Sequence, residues 1–71
     1  MKDLTKLLGK LSKELDRTKE KVDKINDFFG TEESKDLDSE EKGLMISQQF
    51  ILNSLAEILH RRMKKIENRN K

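Results

Sequence analysis

The sequence predicts an all-α fold: an antiparallel two-helix hairpin, coiled-coil-like, assembling into a homo-oligomeric helical bundle. Three observations carry this. Proline is absent and glycine occurs only three times, so the backbone has few places to turn. Apolar residues ahead of Gly30 recur at alternating steps of four and three, the heptad rhythm of a helix packed along one seam. Charged residues make up 42% of the chain against 32% hydrophobic ones, but the charges nearly cancel and the apolar spacing is regular, which separates this sequence from a disordered one.

The first helix is expected over about residues 2–29. Leu8, Leu15, Val22 and Phe29 fall at one heptad position and Leu4, Leu11, Thr18 and Ile25 at the other, with Thr18 as the polar interruption. Gly9 lies inside this helix at a cost of about 1 kcal/mol relative to alanine, so the first turns are expected to fray. Gly30 suits the left-handed residue that closes a helix, and residues 30–37 read as the connecting loop. Asp38 followed three positions later by Glu41 has the spacing of a capping box, and both acids suit the positive end of the helix dipole. The second helix is expected over about residues 38–68, with a basic tail to 71. Two helices of this length, joined by a short loop, fold back as a hairpin roughly 40 Å long, a single domain over residues 1–71.

Two helices do not close a core, and a chain of 71 residues buries proportionally little surface. On a wheel of about 100° per residue from Leu44, the residues Leu44, Met45, Leu52, Leu55, Ile58, Leu59, Met63 and Ile66 span an arc broad enough for more than one neighbour. Ile46 and Phe50 point almost the opposite way and form a second small patch. A homo-oligomer is therefore expected, with Ile46, Phe50, Leu52, Leu55, Leu59 and Met63 as candidate interface residues. The bland alternative for Phe50 is one of the many apolar side chains left on protein surfaces.

Several function classes are excluded or disfavoured. The chain holds no cysteine and one histidine, so it carries no disulfide framework, no thiolate site and no multi-histidine metal site; no cofactor is expected. His60 has no nearby serine or cysteine nucleophile in sequence, no glycine-rich phosphate loop is present, and Glu14, Asp16 and Glu20 sit among lysines as a solvated helix face. The protein is expected not to be an enzyme. No apolar stretch reaches the roughly 18 residues of a membrane span, and no apolar N-terminal run with a cleavage site is present. A soluble, cytoplasmic protein without membrane association is the expectation.

Charge is polarised. Residues 30–42 hold six acids and two lysines, and residues 61–71 hold six Lys or Arg and one Glu. His60, Arg61, Arg62, Lys64 and Lys65, followed by Arg69 and Lys71, make a cationic cluster that in a hairpin lies beside Lys2, Lys6 and Lys10. Guanidinium groups give bidentate donors to phosphate and lysine a point charge, although basic residues in a last turn are also ordinary complements of the helix dipole. A net charge of +2, no helix-turn-helix punctuation and only three aromatic residues disfavour nucleic acid as the partner. Within the apolar arc lie two polar side chains, Gln48 near 40° and Arg62 near 0°, about 21 Å apart along the helix. Each needs a partner, an interface or a pocket. Across an antiparallel two-fold pair Gln48 of one chain faces Arg62 of the other; the alternatives are a register-fixing amide and an arginine that snorkels to water.

Lys10 with Glu14, the run Val22, Ile25, Phe28 and Phe29, Leu37 ahead of Asp38 to Glu41, and Leu44, Met45, Gln48, Ile58, Leu59, Arg62 and Met63 follow one another over residues 10–63. This order resembles a family of short phage and prophage helical-hairpin proteins related to a crAss-like phage protein of undefined function. The chain departs from that family at Leu52 and Leu55, where methionine and tyrosine are favoured, and in a longer basic extension after Met63. The resemblance implies a small phage-encoded helical accessory protein and brings no activity with it. Analogy with unrelated small phage proteins suggests a counter-defence sponge, which sequesters a nucleotide-derived immune signal, a cyclic dinucleotide or an ADP-ribose-type molecule, without cleaving it. Arg61, Arg62 and Lys65, with His60 beside them, are the candidate phosphate ligands, and Gln48 or Gln49 the candidates for base or ribose. Two alternatives stand beside it: a helical module that inhibits a host protein through Ile46 and Phe50, and a basic nucleic-acid-associated regulator.

Overall fold

The computed structural model describes the backbone of residues 2–69 and the side chains of residues 4–69. The chain is a two-helix hairpin with no strand among the described residues: α1 spans Lys2–Phe29, a short 3-10 helix spans Glu32–Asp36, and α2 spans Ser39–Arg69. The expected helix bounds agree with this to within a residue, but the connection is itself helical. Asn70 and Lys71, the end of the expected basic tail, lie outside the described residues.

α1 runs through Gly9 without a break. Its seam packs on α2: Leu11, Leu15, Leu59 and Ile66 are buried, and Leu4, Leu8, Leu55, Ala56 and Met63 pack against them half-covered. Thr18 is buried as well at 4% exposure. Its hydroxyl donates to the Glu14 carbonyl at 2.8 Å, so the polar interruption is satisfied within its own helix and needs nothing from across the seam. At the closed end, the Gln49 amide donates to the Asn26 side-chain oxygen. That bond joins α1 and α2 near the connection.

The closing of α1 differs from expectation. Gly30 does not adopt a left-handed conformation, for no glycine has positive φ. The last turn instead tightens to three-residue bonds, Gly30 N–H to Asp27 O at 3.1 Å and Thr31 N–H to Phe28 O at 3.0 Å. The carbonyls left over at the helix end are met by hydroxyls: Thr31 Oγ1 donates to Phe28 O at 2.6 Å, and the buried Ser34 Oγ lies 3.1 Å from Phe29 O and 2.7 Å from Thr31 O. With those acceptors satisfied, a left-handed cap has nothing to add. The start of α2 is as expected on the Asp38 side: its carboxylate accepts from Glu41 N–H at 2.8 Å and its carbonyl from Lys42 N–H at 3.0 Å, which makes Asp38 the N-cap.

The result is a rod of 51 × 15 × 14 Å, and α2 alone accounts for about 46 Å of the long axis at 1.5 Å per residue. The radius of gyration, 16.1 Å, exceeds the roughly 11 Å of a compact domain of this length. Accessible surface is 5963 Å², against about 4,600 Å² for a compact monomer of this mass. Among the described residues, only Leu59 of the large apolar side chains is fully enclosed. The hairpin therefore leaves a large share of its apolar surface uncovered.

Candidate functional site: a cationic groove at the open end

At the open end of the hairpin, α1 and the last turns of α2 border a groove of roughly 200 Å³. Leu7 comes from α1; Arg62, Lys65, Ile66 and Arg69 come from α2. The placement follows from helix geometry. Positions 62, 65 and 69 are separated by three and four residues and so share one face. Ile66 turns from that face toward α1 and is 9% exposed, while Leu7 opposite it is 36% exposed. The groove thus has an apolar floor and three cations along its rim. None of the three forms an ion pair among the described residues, whose pairs are Lys35–Glu32 and Arg61–Glu57.

The expected site residues divide. Arg62 and Lys65 line the groove. Arg61 does not: its guanidinium donates to the Glu57 carboxylate at 2.7 Å, one turn back along the helix, and it lies about 100° around α2 from Arg62. His60 is exposed and lies about 160° from Arg62, away from the groove. Gln49 is engaged with Asn26 near the closed end. Gln48 is exposed rather than enclosed, and sits about 21 Å along α2 from Arg62. Within one chain, neither glutamine reaches a ligand held by Arg62.

Arg69 completes the groove and was the residue sequence reasoning left in the tail. Its signal was the spacing of 62, 65 and 69, which repeats the heptad steps of the apolar seam. Leu7 had no such signal, since its place depends on how α1 and α2 align. Arg62, Lys65 and Arg69 offer two planar guanidinium forks and one point charge, the donor set that suits a phosphate group. The floor of Leu7 and Ile66 suits the apolar face of a sugar or a base. Among the described residues no group of three His, Cys, Asp or Glu is placed to hold a metal ion.

The candidate interface residues divide as well. Leu59, at 1% exposure, is spent inside the hairpin, and Leu55 and Met63 are half-covered there; Leu52 is intermediate. Ile46 at 57% and Phe50 at 72% are open to solvent. So are three residues outside the expected interface: Leu44 at 64%, Ile51 at 65% and Ile58 at 54%. No described helix is long and apolar enough to cross a membrane.

A model of the Sequestin family matches residues 5–65, which takes in the helical connection, almost all of α1 and most of α2. No curated protein and no solved structure matches the chain.

Proposed function

This chain belongs to the Sequestin family, and from that premise we propose that it is a phage-encoded counter-defence sponge. It holds a phosphate-bearing, nucleotide-derived signal of bacterial immunity, of the cyclic dinucleotide or ADP-ribose type, and does not cleave it. The observation that carries this reading is the groove of Arg62, Lys65 and Arg69 over Leu7 and Ile66; the family's name, with its sense of sequestration, agrees with it. The three cations take the phosphates, and the apolar floor takes the ribose or base. A sponge needs binding without chemistry, and among the described residues that line the groove there are anion donors and no carboxylate or histidine to act as general base. The protein works as an oligomer in the cytoplasm of the infected cell.

A thermal-shift panel of cyclic dinucleotides and ADP-ribose derivatives tests the reading. We expect one class to raise the melting temperature and to be recovered chemically intact after the protein is denatured. No shift across the panel refutes the reading, and recovery of a cleaved product refutes the sponge mechanism.

A second reading rests on a different observation, the exposure of Phe50 at 72% beside Ile46. In it the chain inhibits a host protein through that patch. A single host protein then co-purifies with the chain and is lost with Phe50→Asp, while the ligand panel stays silent.

A further inference from the structure

α1 sorts its charges around its axis. With Lys6 at 0° and about 100° per residue, Lys6, Lys10, Lys13, Arg17, Lys21 and Lys24 fall within an arc of about 80°, and no other residue between positions 6 and 24 shares it. Each of these cations is exposed, and none forms an ion pair among the described residues. The row is about 27 Å long and lies roughly 140° around α1 from Leu11 and Leu15, which pack on α2. We infer that this row is a binding face for the phosphate backbone of duplex DNA, engaged without regard to base sequence.

The net charge of +2 conceals the row, because the helix carries its acids on other faces. Asp16, Asp23 and Asp27 lie between about 260° and 300°, while Glu14 and Glu20 stand about 20° outside the arc, one on each side. A polyanion laid along the row meets one sign of charge. Its attraction is set by that local field and not by the sum over the chain.

The make-up of the face chooses the occupant. The core of a protein interface is depleted of charge and built on aromatic and apolar anchors, and this arc holds none. A membrane surface takes up the apolar face of a helix, but that face of α1 is already packed on α2. Single strands are held by stacking on aromatic rings, which the arc also lacks. What it offers is a straight row of charges, and duplex DNA is a straight polyanion: about one charge per 1.7 Å of axis, with a persistence length of about 150 base pairs. Every register along the duplex presents phosphates to the row. With no amide or hydroxyl in the arc to read base edges, the contact is to the backbone alone. The row belongs to α1 and the groove cations to α2, so the inference stands whether or not the groove holds a nucleotide.

Fluorescence anisotropy of a labelled random-sequence duplex of about 30 base pairs, titrated with the native protein from about 50 mM salt upward, tests the face. Binding should appear at the low end and fall with salt on a log–log slope steeper than about −2, the counterion release of more than two engaged phosphates. Lys13→Gln, Arg17→Gln and Lys21→Gln together alter exposed positions only. That variant should keep the helical circular dichroism of the native chain, weaken binding by about tenfold or more and flatten the slope. Lys19→Gln, Lys35→Gln and Lys42→Gln together remove the same charge from other faces and should weaken binding less than about threefold. No binding at low salt, a slope flatter than about −2, equal losses in the two variants, or tighter retention by phosphatidylserine-containing vesicles than by the duplex each overturns the inference.

Discussion

Ile58 and Leu59 are neighbours on α2 and both are apolar, yet Leu59 is 1% exposed and Ile58 54% exposed. They belong to different seams of the same helix. Leu59 sits on the face that α1 covers, with Leu11, Leu15 and Ile66 around it. Ile58 sits on the face that ends in Arg62, Lys65 and Arg69. The inner seam is built to be finished within the chain: its polar members, Thr18 and Gln49, already have partners there. The outer seam is unfinished on both counts, with exposed aliphatic residues at its middle and cations at its end that form no ion pair among the described residues. The lesson is that a turn of about 100° around one helix separates a face that α1 covers from a face that it leaves open.

The comparison breaks most visibly on the inner side. Leu59→Ala removes a fully enclosed side chain and should cost about 2–5 kcal/mol in urea unfolding, enough to unfold much of a marginal hairpin. Ile58→Ala, measured on dilute monomer, should stay within about 0.5 kcal/mol of the native chain. Equal effects at the two positions would erase the distinction between seams. At the basic end, Arg62→Ala should weaken binding of the ligand found in the thermal panel by about tenfold or more, through loss of charge-assisted hydrogen bonds. Arg61→Ala should leave it unchanged, because that guanidinium is turned toward Glu57.

Smaller effects sharpen the account of how the helices are bounded. Asp38→Ala removes the acceptor of the Glu41 amide and should cost about 1 kcal/mol in the same unfolding measurement. Gly30→Ala should change stability least of all. Its backbone has no positive φ, and an added Cβ would meet Asp27 O at 3.4 Å, an ordinary contact. A left-handed glycine would instead penalise alanine clearly.

Both helices, the seam of α1 and the Asp38 cap were legible in the sequence, because each rests on spacing within one helix. The end of α1 was not. Whether a helix closes on a left-handed glycine or on i→i+3 bonds depends on what meets its last carbonyls, and here the hydroxyls of Thr31 and Ser34 do so from a connection that is itself helical. At the site, Arg62 and Lys65 were legible as a cationic pair. Arg61 and His60 were grouped with them by proximity in sequence, which a helix converts into directions about 100° and 160° away from Arg62. Gln48 and Gln49 were grouped by residue type, though their distance along α2 keeps them from the groove in one chain. Arg69 was left in the basic tail, although its seven-residue spacing to Arg62 puts both on one face of α2. Leu7 became visible only with the register of α1 on α2.

The most direct measurement of the central claim is an amide NMR titration of the native protein with ADP-ribose and with a cyclic dinucleotide. The account predicts that one of them shifts the amides of residues 62–69 and of Leu7, and leaves those of Ile46 to Phe50 in place. Shifts centred on Ile46 to Phe50, or no shift with either ligand, would contradict it.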